Sequence, residues 1–284
     1  MHRLYRIYRA LLTPLCFVIF NGGALFLSLI WFHALNLVVR DAKKRQLYAR
    51  ASISFSFRLF VTMLVGLRII KVRFDHFEQL QPPTDGSTRP GVILVANHPS
   101  LIDYVLIASR LNHINCVVKE QLKHNFFMRG VIKASGYLAN DDPEAFLQEG
   151  SACLHAGEDL LIFPEGTRTS RQKEFRLRRG AAALAVHSGR PLQVITITMN
   201  TEFLTKEKRW HQVPPMCPEY VLSVGPLLSC ESASLQPATA PAHTDANADT
   251  DGVPEGLALR TRQLNRQLTA ILQNATNRSF TYGT

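Results

Sequence analysis

Short apolar runs alternate with helical patterns along most of this chain, and this alternation constrains the fold more than any other feature of the sequence. The apolar runs predict strands at 92–96, 115–118, 137–139, 159–163, 192–199 and 219–224. The stretches between them predict helices at 101–110, 126–135, 143–155 and 178–188. Such alternation is typical of α/β proteins, whose strands run mostly parallel. The sequence therefore predicts an α/β domain with a mostly parallel sheet flanked by helices.

The segment His98-Pro-Ser-Leu-Ile-Asp103 joins the first predicted strand to the first predicted helix. Ligands of α/β sheets usually bind at the carboxyl ends of strands, and an aspartate in the first helical turn can reach back to that point. We expect Asp103 to hold one imidazole nitrogen of His98, so that the other nitrogen can take a proton from a substrate hydroxyl group. The alternative is a purely structural turn in which Asp103 caps the helix.

The segment Phe163-Pro-Glu-Gly-Thr-Arg168 follows another predicted strand and breaks at Pro164 into a turn. The planar guanidinium of Arg168 suits a phosphate or carboxylate group, and Glu165 can accept hydrogen bonds from a polyol or orient the arginine. The chain has no Gly-x-Ser-x-Gly motif that would present a serine nucleophile. Direct transfer to a bound alcohol is therefore favoured over a covalent enzyme intermediate.

Together the two segments resemble the PlsC-type family of lysophospholipid acyltransferases, which includes the 1-acylglycerol-3-phosphate acyltransferases. The family motifs Asn-His-x-x-x-x-Asp and Phe-Pro-Glu-Gly-Thr-Arg stand here at 97–103 and 163–168. The resemblance implies that His98 is the catalytic base and Asp103 its charge partner, while Glu165 and Arg168 bind the acceptor. The substrate-binding residues that it implies are Asn97, Lys119, Glu165, Gly166, Thr167 and Arg168.

The chain departs from the family pattern in two places. The second family motif ends in an arginine that contacts the acceptor phosphate, whereas this chain reads Gly136-Tyr-Leu-Ala-Asn-Asp-Asp142. The fourth motif carries a proline inside an apolar strand, whereas Val194-Ile-Thr-Ile-Thr198 has none. These departures leave two acceptors open: 1-acyl-sn-glycerol-3-phosphate, or a lyso-lipid without a phosphate head group, such as an amino-lipid.

The net charge of +10 fits either nucleic acid or an anionic membrane surface as a partner. No zinc-finger spacing, ribonucleoprotein signature or helix-turn-helix pattern accompanies the charge, so we expect membrane lipids and no nucleic acid. Residues 10–39 contain no Lys, Arg, Asp or Glu, whereas a membrane-crossing helix needs only about 20 apolar residues. We therefore expect attachment to the inner (cytoplasmic) membrane, with the catalytic domain facing the cytoplasm.

The topology of this apolar segment is left open by the sequence, because basic residues flank both of its ends. Pro14 and Asn21-Gly22-Gly23 interrupt the run, which allows a kinked or re-entrant helix pair with both ends in the cytoplasm. A cleaved signal peptide is a further alternative. Residues 51–70 carry apolar side chains at helical spacing and predict an amphipathic helix, either at the membrane interface or packed on the catalytic core.

These segments predict four regions. Residues 1–70 form the membrane anchor, 71–228 the acyltransferase domain, 229–253 a disordered linker and 254–284 a C-terminal amphipathic helix and tail. The helix is expected to pack on the core through one stripe, made of Leu257, Leu264, Leu268 and Ile271.

The function expected from these residues is membrane-bound acyl transfer from an acyl thioester to a lysophospholipid hydroxyl group in phospholipid biosynthesis. The co-substrate is acyl-CoA or an acyl carrier protein, and no cofactor or metal site is expected. Five cysteines without metal-ligand spacing fit a reducing compartment. The alternative from another class is a catalytically idle membrane adaptor, against which the intact His98 and Asp103 argue. The sequence indicates no oligomeric state.

Overall fold

The structure, a computed structural model, describes residues 2–81, 89–170, 172–229 and 255–279. Its helices are α1 (His2–Phe26), α2 (Phe32–Val38), α3 (Ala42–Gly66), α4 (Asp103–Ala108), α5 (Glu120–Lys123), α6 (Arg129–Ser135), α7 (Pro143–His155), α8 (Gly180–Ser188) and α9 (Glu255–Arg278). Its strands are β1 (Lys71–Asp75), β2 (Ile93–Ala96), β3 (Asn115–Val118), β4 (Leu138–Ala139), β5 (Leu160–Ile162), β6 (Leu192–Met199) and β7 (Glu219–Leu228). A π-helical stretch, Leu27–Trp31, joins α1 to α2, and a short 3₁₀ helix, Phe77–Leu80, follows β1.

Within the described residues, the seven strands form one sheet in the order β1-β7-β6-β2-β5-β3-β4. All neighbouring pairs run parallel except β6 and β7, which are antiparallel. The expected mostly parallel α/β sheet flanked by helices is confirmed. The sequence did not predict β1, and β7 continues past the expected end at 224 to Leu228.

The strands are buried on both faces because each face is covered by helices. In β2, Leu94 and Ala96 belong to the apolar cluster that includes residues of α3, α4 and α6, whereas Ile93 and Val95 belong to the cluster shared with α7, α8 and α9. This two-sided burial explains why the central strands read as continuous apolar runs. Because β2 is the middle strand of the seven, its carboxyl end lies at the centre of the sheet edge.

The C-terminal helix α9 packs on this second face, as expected. Leu264, Leu268 and Leu272 are fully buried there. The predicted stripe is wrong at its first member, because Leu257 is exposed, and Ile271 is only partly buried. The expected linker at 229–253 lies, apart from its first residue, outside the described residues.

The N-terminal segment is one continuous helical run from α1 through α2. The expected interruption at Asn21-Gly22-Gly23 is absent, and Pro14 lies inside α1. The run 4–38 and the helix α3 are both long and apolar enough to cross a membrane, by length and composition. These helices are the candidate membrane anchor of the chain.

The helix α3 covers residues 51–66 of the predicted segment 51–70, but it starts earlier, at Ala42, and ends at Gly66, four residues before the predicted end. Its face carrying Ile53, Phe57 and Val61 is buried in the core, while Phe55 and Leu59 on another face are each 64% exposed. The two interpretations of this segment therefore describe two faces of one helix: it packs on the core and also presents an apolar surface.

Candidate active site

The loop that carries His98 is fastened to the sheet by the residue before it. Asn97 is fully buried, donates from Nδ2 to the carbonyl oxygen of Ile197 at 2.8 Å and accepts from the Ile197 amide, also at 2.8 Å. The Asn97 side chain is closed off from solvent and paired with β6, so in this structure it holds the loop, and its implied substrate-binding role stays a prediction.

Asp103 fixes the orientation of the His98 ring. Its Oδ2 lies 2.8 Å from Nδ1 of His98 and accepts a hydrogen bond from the Ser100 amide at 2.7 Å, and its Oδ1 accepts one from the Ser100 hydroxyl at 2.6 Å. Since a carboxylate can only accept, Nδ1 of His98 carries the proton and Nε2 is left as an acceptor. Asp103 is fully buried and begins α4, where the helix dipole favours a negative charge.

Phe163 supports the same imidazole from one side. The rings of His98 and Phe163 are stacked, with centroids 4.4 Å apart and planes inclined by 27°. The His98 side chain remains 21% exposed, so a substrate hydroxyl group can reach it from solvent. The ring of His98 is therefore fixed in orientation, while part of its side chain remains accessible to solvent.

Glu165 locks the two motif loops together. Its Oε1 accepts hydrogen bonds from the His98 amide at 2.9 Å and from the Thr169 hydroxyl at 2.8 Å, while the Thr169 amide donates to the His98 carbonyl oxygen at 2.7 Å. Burial raises the pKa of the Glu165 carboxyl above its usual value, although these hydrogen bonds act in the opposite direction. Glu165 thus orients the loop of the base, and its hydrogen bonds go to these partners and not to Arg168.

Arg168 is engaged by the protein itself. Its Nη1 donates to the carbonyl oxygens of Leu204 at 3.1 Å and Thr205 at 3.0 Å, and the same Leu204 oxygen accepts from the Leu101 amide. Leu204 has a φ of +56°, a strained value for leucine, so these bonds stabilise an unfavourable backbone conformation. Arg168 therefore holds the loop after β6 in place, and the shared Leu204 oxygen joins that loop to the His98 loop.

The remaining implied residues lie around the same edge. Gly166 adopts a φ of +65°, which glycine tolerates, and Thr167 is exposed beside it. Lys119 is exposed directly after β3, whose carboxyl end lies at the same edge as that of β5. The geometry therefore groups His98, Asp103, Glu165, Gly166 and Arg168 tightly, with Lys119 at the periphery.

The position where the family pattern has an arginine is occupied by a helix cap. The Asp142 carboxylate accepts hydrogen bonds from the Glu144 amide at 2.9 Å and the Ala145 amide at 3.3 Å and so caps α7. An aspartate there offers no positive charge to a phosphate group. Among the described residues, no group of three or more His, Cys, Asp or Glu side chains is arranged to hold a metal ion.

Sequence reasoning missed three supporting residues of the site: Ser100, Phe163 and Thr169. Only Ser100 had a usable signal, because Ser100-Leu-Ile-Asp103 matches the pattern of a helix capping box. Phe163 and Thr169 act through contacts across two loops, which spacing along the chain does not show.

The known proteins to which this chain is similar in sequence are acyltransferases. Residues 71–200 match the family model described as Acyltransferase. The chain is 29% identical over 132 residues to a 1-acyl-sn-glycerol-3-phosphate acyltransferase of Pseudomonas aeruginosa, a match that covers 44% of this chain and 50% of the relative. It is 24% identical over 235 residues to the mouse 1-acyl-sn-glycerol-3-phosphate acyltransferase alpha, covering 80% of this chain and 75% of that protein.

The fold has a counterpart among solved structures. The crystal structure of the 1-acyl-sn-glycerophosphate acyltransferase PlsC from Thermotoga maritima superposes with a TM-score of 0.58 at 17% identity. The match covers 96% of this chain and 98% of the other. At this identity the likeness is one of fold, and it extends to the N-terminal helices as well as the sheet.

Proposed function

Because the chain belongs to the PlsC-type acyltransferase family, we propose that it transfers a fatty acyl group from an acyl thioester to a hydroxyl group of a lysophospholipid. The observation that carries the proposal is the pair formed by His98 and Asp103, in which a buried carboxylate holds Nδ1 of a partly exposed histidine side chain. This pair lies in the segment matched by the family.

The proposed reaction uses His98 first as a base and then as an acid. Nε2 takes the proton of the acceptor hydroxyl group while the oxygen of that hydroxyl group attacks the thioester carbonyl carbon. The resulting oxyanion collapses, the carbon–sulfur bond breaks, and the leaving thiolate receives the proton from His98. The carboxylate of Asp103 stabilises the imidazolium between these two proton transfers.

The acceptor that we propose is 1-acyl-sn-glycerol-3-phosphate, and the donor is acyl-CoA or an acyl carrier protein. Two relatives are 1-acyl-sn-glycerol-3-phosphate acyltransferases, and the chain spans half the length of one and three quarters of the other. A lyso-lipid without phosphate is a second candidate, because the motif arginine is replaced by the capping Asp142.

The helices α1 to α3 are proposed to hold the enzyme at the cytoplasmic membrane, with the catalytic domain in the cytoplasm. Many large apolar side chains of α1 are exposed, among them Leu4, Ile7, Leu11 and Val18. The buried Arg50 of α3 bonds to Ser135 and Glu158, and the chain leads from α3 directly into β1. Because α3 is held to the catalytic domain in this way, we favour a helix pair that lies in one leaflet over a perpendicular span.

The test is acyl transfer by the purified full-length protein in lipid vesicles. The acceptors are lysophosphatidic acid, lysophosphatidylcholine, an amino-lyso-lipid and a monoacylglycerol, each offered with acyl-CoA and with an acyl carrier protein. We expect turnover with lysophosphatidic acid to exceed the others and to vanish in His98→Ala. Turnover in His98→Ala equal to the wild type, or no turnover with any pair, would overturn the proposal.

A further inference from the structure

Arg178 lies beside the motif turn and carries a charge that no described residue of the protein pairs. Arg168 uses Nη1 to donate to the carbonyl oxygens of Leu204 and Thr205. The next arginine along the loop, Arg176, is paired with Glu174 at 2.7 Å. Among the described residues, the guanidinium of Arg178 has neither a hydrogen-bond nor an ion-pair partner, and its side chain is exposed.

Arg178 lies directly on the motif turn. Its amide donates to the carbonyl oxygen of Pro164 at 2.8 Å, which joins its backbone to the Phe163–Arg168 loop. Its side chain crosses Gly166 so closely that a Cβ atom built on this glycine would lie 2.7 Å from Nε and 3.1 Å from Cδ of the arginine. Gly166 therefore tolerates a φ of +65° and also lets the Arg178 side chain lie against its backbone.

This placement puts the free cation on the motif turn that is hydrogen-bonded to the His98 loop. Gly166 adjoins Glu165, and Glu165 accepts the amide hydrogen of His98. The guanidinium therefore lies beside the loop that the substrate must approach to reach Nε2. Asp142 supplies no positive charge at the motif position, so a phosphate group near His98 needs a cation from elsewhere in the site.

We propose that Arg178, lying across Gly166, binds a phosphate group of a substrate of the acyl transfer reaction. A guanidinium offers two parallel N–H donors that match phosphate oxygens, and such charge-assisted bonds are about twice as strong as neutral ones. The phosphate belongs either to the acceptor lipid or to the donor carrier, since both classes carry one. The inference rests on the proposed function for its substrates, but the binding site itself is defined by geometry.

The kinetic test compares Arg178→Gln with the matched control Arg176→Gln, in which the changed arginine lies on the same loop but is already paired with Glu174. Because Arg178→Gln removes charge-assisted hydrogen bonds to the phosphate group, we expect it to raise one KM by about tenfold or more, with kcat changed much less. Arg178→Lys keeps the positive charge but lacks the two parallel N–H donors of the guanidinium, so we expect its KM to lie between those of the two glutamine variants. It also serves as the probe if Arg178→Gln does not fold.

The source of the phosphate is read from which KM changes. A rise for lysophosphatidic acid but not for a monoacylglycerol assigns the phosphate to the acceptor. A rise for acyl-CoA with both acceptors, absent with an acyl N-acetylcysteamine thioester, assigns it to the donor. If all of these constants stay within twofold of the Arg176→Gln control, the inference is overturned.

A direct binding measurement separates this inference from the proposed function. Titration of glycerol 3-phosphate and coenzyme A into the full-length wild type and both glutamine variants needs no turnover. We expect one of these ligands to bind about tenfold or more weakly to Arg178→Gln than to Arg176→Gln. If ligand binding weakens in this way but the protein shows no acyltransferase activity, the phosphate site is supported and the proposed reaction is rejected. If both ligands bind equally well to the two variants, the phosphate site is rejected.

Discussion

Nδ1 of His98 lies 2.8 Å from Oδ2 of Asp103, and this carboxylate is fully buried while the histidine remains partly exposed. The contact therefore sets the tautomer of His98, the proposed base, from inside the protein. Replacing Asp103 by Asn should turn an acceptor into an amide that can donate to Nδ1, so that Nε2 would carry the proton and could no longer take one. We expect kcat to fall by about 10²- to 10⁴-fold.

Steady-state acyl transfer measures this effect, and a vesicle-binding assay checks that the variant still reaches the lipid. Asp75→Asn is the control, because Asp75 ends β1 and pairs with Arg73 and Ser223 away from the base. A kcat for Asp103→Asn within twofold of that control would contradict the assignment of His98 as the base.

Replacing Glu165 by Gln should reveal the cost of burying its charge. Glutamine keeps an acceptor oxygen for the His98 amide and the Thr169 hydroxyl but does not ionise. Because burial raises the pKa of Glu165 in the folded protein, the wild type loses stability relative to Glu165→Gln as pH rises from the unfolded value of about 4.3 through the folded pKa. Above that pKa the difference should be constant.

Chemical denaturation of both proteins between pH 4 and pH 8 tests this prediction. The difference in unfolding free energy, wild type minus variant, should become more negative across the window and then level off. A difference that instead becomes more positive with pH would show that hydrogen bonding to the carboxylate outweighs burial.

Replacing Arg168 by Gln should affect folding more than acceptor binding. The guanidinium holds two carbonyl oxygens of the loop after β6, and hydrogen bonds to charged groups contribute about 1.5–3 kcal/mol each when well shielded. Since Arg168 is only half-buried, we expect the unfolding free energy to fall by about 2 kcal/mol. Denaturant titration measures it, and an unchanged unfolding midpoint with a large rise in acceptor KM would instead make Arg168 a substrate ligand.

The ion pair between Arg50 and Glu158 should be critical for the docking of α3. The two side chains are 2.7 Å apart and only 2% and 15% exposed. Removing one partner of a buried pair costs about 3–5 kcal/mol, because the other charge is left without compensation. Arg50→Met should therefore destabilise the protein strongly, and adding Glu158→Gln should restore part of the loss. Thermal denaturation of the single and double variants measures the coupling, and additive losses would exclude it.

The exposed face of α3 should contribute to lipid binding. Phe55 and Leu59 are each 64% exposed, and fully burying one such side chain contributes about 1.5–3 kcal/mol. We expect Phe55→Ser with Leu59→Ser to lower the vesicle partition coefficient by at least about tenfold, whereas Leu227→Ser, at the far end of β7, should not change it. Equal partitioning of the two variants would show that this face is not in contact with lipid.

The sequence predicted the central sheet well because its strands are buried on both faces and read as plain apolar runs. The strands at 115–118 and 192–199 and the helix at 143–155 have the predicted bounds. The edge strand β1 was missed, because Lys71-Val-Arg-Phe-Asp75 mixes charged and apolar residues over only five positions. Its pairing with β7, far away in the chain, decides its structure.

The site was predictable where its chemistry is local and unpredictable where it depends on distant partners. His98 and Asp103 are near neighbours in sequence, so their contact follows from one turn. The bonds of Asn97 to Ile197 and of Arg168 to Leu204 join residues 100 and 36 positions apart. No local pattern distinguishes an arginine that holds its own backbone from one that holds a ligand.

The reversal of β7 has a consequence for how substrate arrives. Because β7 is antiparallel to β6, its first residues lie at the same sheet edge as His98, and the adjoining Pro215 and Met216 carbonyl oxygens accept hydrogen bonds from Arg9 of α1. The N-terminal part of α1 and His98 therefore lie at the same edge of the sheet. A lipid that diffuses within one leaflet could place its head group at this edge while its acyl chain stays in the membrane. In that case the velocity should follow the mole fraction of lyso-lipid in the surface, so that diluting it with inert lipid would slow the enzyme while diluting the whole suspension would not.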